Sequence, residues 1–346
     1  MKGCTGKMLG IILTSIGLWT GCEQAPQQTE STVSAAQVSP MFDDLYVLGD
    51  SMSDNGNLHA ALWPFGLMGA FSKDNVNVDG ESITLARMTN GKSLAEHLAD
   101  GMGMVLLPSA KGGKNFAHTA ATSSPETEGV IAAPALPEQV ESLFEQLSDN
   151  GESLTDQDAV LIFMGSNDVL AATKINAKGD QKAEAEDIVK RAAVAIDAEV
   201  GKLIAQGAKT IFVLNSPNIG NSPQVATYNA NDPGFVQREA DALTQMFNQE
   251  LANKMSQVKT ANPAVKIVEL DTYKKAADLY ASFKELGFTT RTEPCYLPFP
   301  KLRYTPGCNA DVAHQYYYFD DMHPSTQVYK LIADLLLPEI EDAMGQ

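Results

Sequence analysis

The chain has 346 residues, 25 Lys+Arg against 43 Asp+Glu, a formal net charge of −18 and 44% hydrophobic residues. This is a globular composition on a chain long enough for a sizeable core, not a disordered or fibrous one. The acidity excludes nucleic acid as a partner, since phosphate binding needs a basic surface, and it argues against electrostatic adhesion to anionic lipid, so any membrane contact is expected only through an N-terminal lipid anchor.

In chain order, residues 1–22 read as a signal peptide. Lys2 and Lys7 precede an apolar run from Met8 to Trp19. At roughly 12 residues it is too short to span a bilayer. Its end, Leu18-Trp19-Thr20-Gly21-Cys22, is similar to a bacterial lipoprotein signal, in which the cysteine carries lipid. Trp19 departs from that pattern, and ordinary cleavage nearby is the alternative. The expectation is an exported protein: an outer-membrane lipoprotein of a Gram-negative bacterium anchored at Cys22, otherwise periplasmic or secreted. Residues 23–40 (EQAPQQTESTVSAAQVSP) are too polar to bury and read as a flexible tether. An exported compartment also permits Cys295 and Cys308 to form a disulfide.

Residues 41–346 read as one α/β domain. Leu45–Leu48, Val160–Met164, Ile211–Leu214 and Val265–Leu270 are short apolar runs bounded by Gly, Asp, Asn or Pro, the signature of strands buried on both faces. Helical periodicity fills 134–148, 182–206, 234–258, 272–286 and 326–343. The alternation predicts an α/β domain with a mostly parallel sheet covered by helices on both faces. Function then gathers at the carboxyl ends of strands, where Gly49-Asp50-Ser51, Gly165-Ser166-Asn167-Asp168 and Asn215-Ser216-Pro217 fall.

Several matches fail on their spacing. Gly91-Lys92-Ser93 has Ala86 where a P-loop needs glycine, and the calcium-loop start at Asn75 has Ala86 where a bidentate acid belongs. No Gly-x-Ser-x-Gly elbow occurs. What survives is a serine after the first strand and, near the other end, Asp320 three residues before His323 and Pro324. Acyl transfer needs such a set: a nucleophile, a base and an acid that orients the base.

Four ordered blocks carry a resemblance to the SGNH (GDSL) hydrolase family. They are Val47-Leu48-Gly49-Asp50-Ser51-Met52-Ser53-Asp54-Asn55-Gly56-Asn57, Thr89-Asn90-Gly91, Gly165-Ser166-Asn167-Asp168 and Asp320-Asp321-Met322-His323-Pro324. Asn115-Phe116-Ala117, Gly207-Ala208-Lys209 and Phe247-Asn248 add secondary similarity, and Met52 stands where the family name expects Leu. The resemblance implies a three-layer α/β/α sandwich with a mostly parallel, flavodoxin-like five-stranded sheet, and Ser51 as nucleophile, His323 as base and Asp320 as its partner. It implies an oxyanion hole of the Ser51 and Gly91 N–H groups with the Asn167 amide, and no metal or organic cofactor. The expected activity is hydrolysis of acyl esters, lipid esters among them. An acyltransferase using the same acyl-enzyme is the alternative, and a solute-binding lipoprotein is the reading from another class. Asp50, Asp54 and Asp168 read as turn and cap residues, His118 as a histidine near the pocket, and Trp63, Pro64, Phe65 and Met68 as an apolar loop beside the acyl site.

Overall fold

The four apolar runs form one parallel sheet: β1 (Leu45–Gly49), β4 (Ala159–Phe163), β5 (Thr210–Leu214) and β6 (Lys266–Leu270), in the order β1-β4-β5-β6. The computed structural model describes residues 39–62, 72–78, 81–129, 132–298 and 301–345. The signal segment, Cys22, most of the tether and the Trp63–Met68 loop lie outside the described residues.

Alternate residues of each strand serve two cores. Tyr46, Leu48, Val160, Ile162, Ile211 and Val213 pack with α3 (Leu136–Asn150), α5 (Lys182–Ala205) and α6 (Pro233–Ala261). Leu45, Val47, Leu161, Phe163, Phe212 and Leu214 pack with α2 (Leu94–Gly101), α7 (Thr272–Ala281) and α8 (Thr326–Met344). Each face of the sheet is therefore covered by helices, which is why the strand runs are apolar throughout rather than alternating. β1, β4 and β5 are buried at every position.

Among the described residues the sheet has four strands instead of the five expected. Where a further strand would flank β1, residues 114–118 follow it without becoming one. Val47 N–H donates to the Lys114 carbonyl, while the Phe116 and His118 N–H groups donate to the Val47 and Gly49 carbonyls. The Asn115 side chain is used elsewhere, its amide donating to the Ser53 carbonyl and Asn55 Oδ1 and its Oδ1 accepting from Ala117 N–H. The pairing with β1 amounts to an isolated bridge between Val47 and Asn115.

Two hairpins lie outside the sheet. One joins β2 (Ser72–Val78) to β3 (Glu81–Arg87), and Arg87, at its end, is buried against Glu96 of α2 at 2.6 Å. The other joins β7 (Tyr296–Leu297) to β8 (Arg303–Tyr304), with the expected Cys295–Cys308 disulfide bracketing it. Among the described residues no helix is long and apolar enough to cross a membrane.

Candidate active site

The site begins where β1 runs out. Gly49 has no room for a Cβ, which would stand 2.9 Å from the Phe163 carbonyl oxygen. Gln139 of α3 clamps this glycine by accepting from its N–H and donating to its carbonyl, both at 2.9 Å. The turn then closes on Asp50, whose backbone carbonyl accepts from the Ser53 and Asp54 N–H groups and whose Oδ1 accepts from Met52 N–H. Ser51 is thereby held at the carboxyl edge of the sheet. Asp54 is architectural, taking hydrogen bonds from the N–H groups of Gly56, Asn57, Leu58 and Thr119.

Ser51 meets the far end of the chain there. His323 Nε2 is 2.7 Å from Ser51 Oγ, and His323 Nδ1 is 2.8 Å from Asp320 Oδ2. Asp320 Oδ1 also accepts from the backbone N–H groups of Met322 and His323, so the three-residue turn fixes carboxylate and imidazole together. A carboxylate on Nδ1 requires the proton there and leaves Nε2 as the acceptor facing the hydroxyl. Asp320, not its neighbour Asp321, makes this contact.

Asn167 follows from the next strand end. β4 passes into α4 (Ser166–Ile175) through Gly165 at φ 116°, where a Cβ would sit 2.1 Å from the Phe247 ring. Only glycine permits both that backbone and that approach. The Asn167 amide donates to the Ala121 carbonyl at 2.8 Å, which fixes the side chain and leaves its second N–H for another acceptor. Asp168 caps a loop by accepting from Ser123 N–H. Asn248 clamps Ser216 through both backbone groups, as Gln139 clamps Gly49.

Ser51, Asn167 and His323 line one cavity of about 50 Å³. Its wall includes Asp50, Phe163, Thr272 and Tyr329, of which the sequence marks Asp50 as a turn residue and Phe163 as part of a buried strand, but none as lining a site. Gly91 is not among the lining residues. Its loop is latched to the segment after His323: Thr89 Oγ1 donates to the Pro324 carbonyl, and Thr326 N–H donates to Asn90 Oδ1. A Cβ on Gly91 would stand 2.8 Å from Thr326. His97 reaches Thr326 Oγ1 from α2 at 3.0 Å, and His118, half-buried, bonds the Gly49 carbonyl through its backbone.

Burial alone would push the His323 pKa down. The Asp320 charge and hydrogen bond, joined by the charges of Asp50 and Asp321, outweigh it and hold the imidazole above its ordinary value. Asp50 is fully enclosed, and burial raises its carboxyl to about 7 against the lowering effects of the Met52 N–H and His323. Its Oδ2, with Thr272 Oγ1 and Tyr329 Oη, is a buried polar atom without a protein hydrogen-bond partner. Neither chemistry nor strand patterning marks the back wall in the sequence; only the packing of α7 and α8 behind β4 brings it together.

Comparison with known proteins agrees with this geometry. Residues 45–336 match the family described as GDSL-like lipase/acylhydrolase. Lipase 1 of Photorhabdus luminescens is 23% identical over 65% of this chain, which spans only 30% of that protein's length. A GDSL esterase/lipase of Arabidopsis thaliana is 23% identical over 87% of the chain and 90% of its own. The phosphatidylcholine-sterol acyltransferase of Aeromonas hydrophila is 24% identical over 77% of the chain and 69% of its own. A family match spanning the whole sheet and all four blocks decides the assignment: the chain belongs to the GDSL-like lipase/acylhydrolase family of ester-cleaving serine hydrolases.

Proposed function

We propose that the protein hydrolyses carboxylic esters through an acyl-enzyme on Ser51. The observation that carries this reading is the continuous chain Asp320–His323–Ser51, with 2.8 Å at one joint and 2.7 Å at the other. His323 Nε2 takes the Ser51 proton as Oγ attacks the acyl carbonyl. The oxyanion is held by the Ser51 N–H and the Asn167 amide, both at the cavity. The Gly91 N–H is the third donor that the family resemblance implies, although Gly91 stands outside the cavity lining; none of the three carries a counter-charge. Collapse of the tetrahedral adduct returns the proton to the leaving alkoxide. A water activated by the same nitrogen then releases the acid and frees Ser51. The side chains and water complete this cycle.

The test is reaction of the folded protein with a fluorophosphonate followed by peptide mapping. Label on Ser51, abolished by His323→Ala, is the expected result; an unlabelled Ser51 in folded protein would sink the reading. A solute-binding role leaves the Asp320–His323–Ser51 chain without a purpose.

A second reading shares the acyl-enzyme and delivers the acyl group to an alcohol, and kinship with a named acyltransferase favours it. Adding an alcohol during ester turnover separates the two, since a transferase diverts product into the new ester. Residues 1–22 as a lipoprotein signal, Cys22 as an outer-membrane anchor, 23–40 as a tether and 41–346 as the catalytic domain complete the proposal. Incorporation of labelled palmitate, lost in Cys22→Ser, tests the anchor.

A further inference from the structure

The chain as a whole is strongly acidic, yet residues 295–308 carry Lys301 and Arg303 and no acid. Both cations sit on the β7–β8 hairpin beside Leu302 and Tyr304, and all four side chains are exposed. Leu302 is 43% and Tyr304 40% accessible, which places them in a short set of large apolar side chains that the fold leaves uncovered. Leu302 also has φ 45°, a left-handed conformation that a Leu adopts only at a cost. Burial does not account for that cost, because the side chain is presented to solvent.

The hairpin is mounted on the wall of the active site. Cys295 N–H donates to the Tyr318 carbonyl, Tyr296 N–H donates to the Phe319 carbonyl, and Phe319 N–H donates to the His323 carbonyl. The Tyr296 ring stacks on Phe319 at 5.6 Å and meets Tyr304 edge-on at 5.4 Å. Tyr317, Tyr318, Met322 and His323 of the supporting segment line the cavity at Ser51. The disulfide ties the two legs of the hairpin together. Four exposed residues are thus mounted on the segment that carries His323.

We propose that Lys301, Leu302, Arg303 and Tyr304 form an interfacial foot that seats the enzyme on an anionic phospholipid surface, with the Ser51 cavity beside the contact. The combination of cation, aliphatic chain and tyrosine suits the headgroup region, where apolar parts sink and charges stay with phosphate. Four residues cannot supply the ~800 Å² per partner of a standard protein interface, whereas a lipid surface asks for no such area. The overall negative charge does not prevent this. Charges farther from these residues than the Debye length of ~8 Å at physiological salt are screened. Of the nearby acids Asp321 feels the Lys301 charge, so Arg303 with the remaining field of Lys301 meets the anionic surface.

This inference deepens the ester-hydrolase reading, and the experiment keeps the two apart. Ser51→Ala protein that also carries Cys22→Ser, so that no lipid anchor contributes, is floated with vesicles of mixed phosphatidylglycerol and phosphatidylcholine, and with phosphatidylcholine alone. Binding is expected to fall by roughly tenfold or more on the mixed vesicles when Lys301→Glu and Arg303→Glu are added, and to fall on both when Leu302→Ser and Tyr304→Ser are added. With Ser51 restored, the same changes are expected to leave hydrolysis of soluble p-nitrophenyl acetate within about twofold. Unchanged flotation of both sets of variants overturns the foot. So does a loss on the soluble ester as large as the loss of binding, which marks the hairpin as structural. A wild-type protein that binds vesicles through these residues but cleaves no ester refutes the enzyme and spares the foot.

Discussion

The imidazole of His323 lies 2.7 Å from the hydroxyl of Ser51 across a sequence separation of 272 residues, and a single carboxylate, Asp320, fixes both the tautomer and the tilt of that ring. Replacing Asp320 with Asn keeps the shape and removes the charge. The expected loss in kcat is roughly 10³–10⁴-fold, with the fold intact by circular dichroism, because the ring is freed to hold its proton on the wrong nitrogen. A loss below about tenfold would show that another group, Asp321 being nearest in sequence, orients the base.

The acid limb of activity should lie above the ordinary histidine value. His323 acts as base only when neutral, and its surroundings favour the charged form, so activity rises with pH and its midpoint falls above 6.5. The Asp50 charge contributes to that shift, and Asp50→Asn should move the limb toward lower pH. The measurement is kcat/KM on a soluble ester from pH 5 to 9 for both proteins. Superimposable limbs would remove Asp50 from the electrostatics of the base.

Asp50 also ties stability to pH. Its folded pKa of about 7 stands above the unfolded value of 3.8, so between these values the native state keeps a proton that the unfolded chain has lost. Stability from this group therefore falls as pH rises from about 4 to 7 and stays low beyond it. Asp50→Asn removes the buried charge while an amide oxygen can still accept from Met52 N–H. Its Tm relative to the parent should be more favourable at pH 8 than at pH 5. A difference independent of pH contradicts this account.

Asn167 is held by Ala121 with one amide hydrogen to spare. Asn167→Ala should lower turnover by roughly a hundredfold or more while fluorophosphonate still finds Ser51. The loss should fall on kcat, since the donor acts on charge that develops only after attack. A change confined to KM would place Asn167 in substrate binding instead.

Strand positions were legible because both faces of β1, β4 and β5 are covered, leaving unbroken runs of Val, Ile and Leu. The Asp320–His323 pair was legible because its geometry is local, a three-residue turn. The β2–β3 hairpin was not: SKDNVNV is mostly polar and exposed, with only Val76 and Val78 alternating, and the Arg87–Glu96 pair that ties the hairpin to α2 shows in no local pattern. Asn115 likewise serves Ser53 and Asn55, 60 or more residues away. Nor could sequence spacing place Thr272 and Tyr329 behind the nucleophile, because that wall exists only once α7 and α8 dock.

The latch between the Gly91 loop and Thr326, like the bond between Ser51 and His323, joins an early part of the chain to a late one. A nascent chain therefore displays its serine long before it owns a base. The site comes together only when the last helix is made and packed, so an ester-cleaving centre stays unassembled for as long as the chain is incomplete.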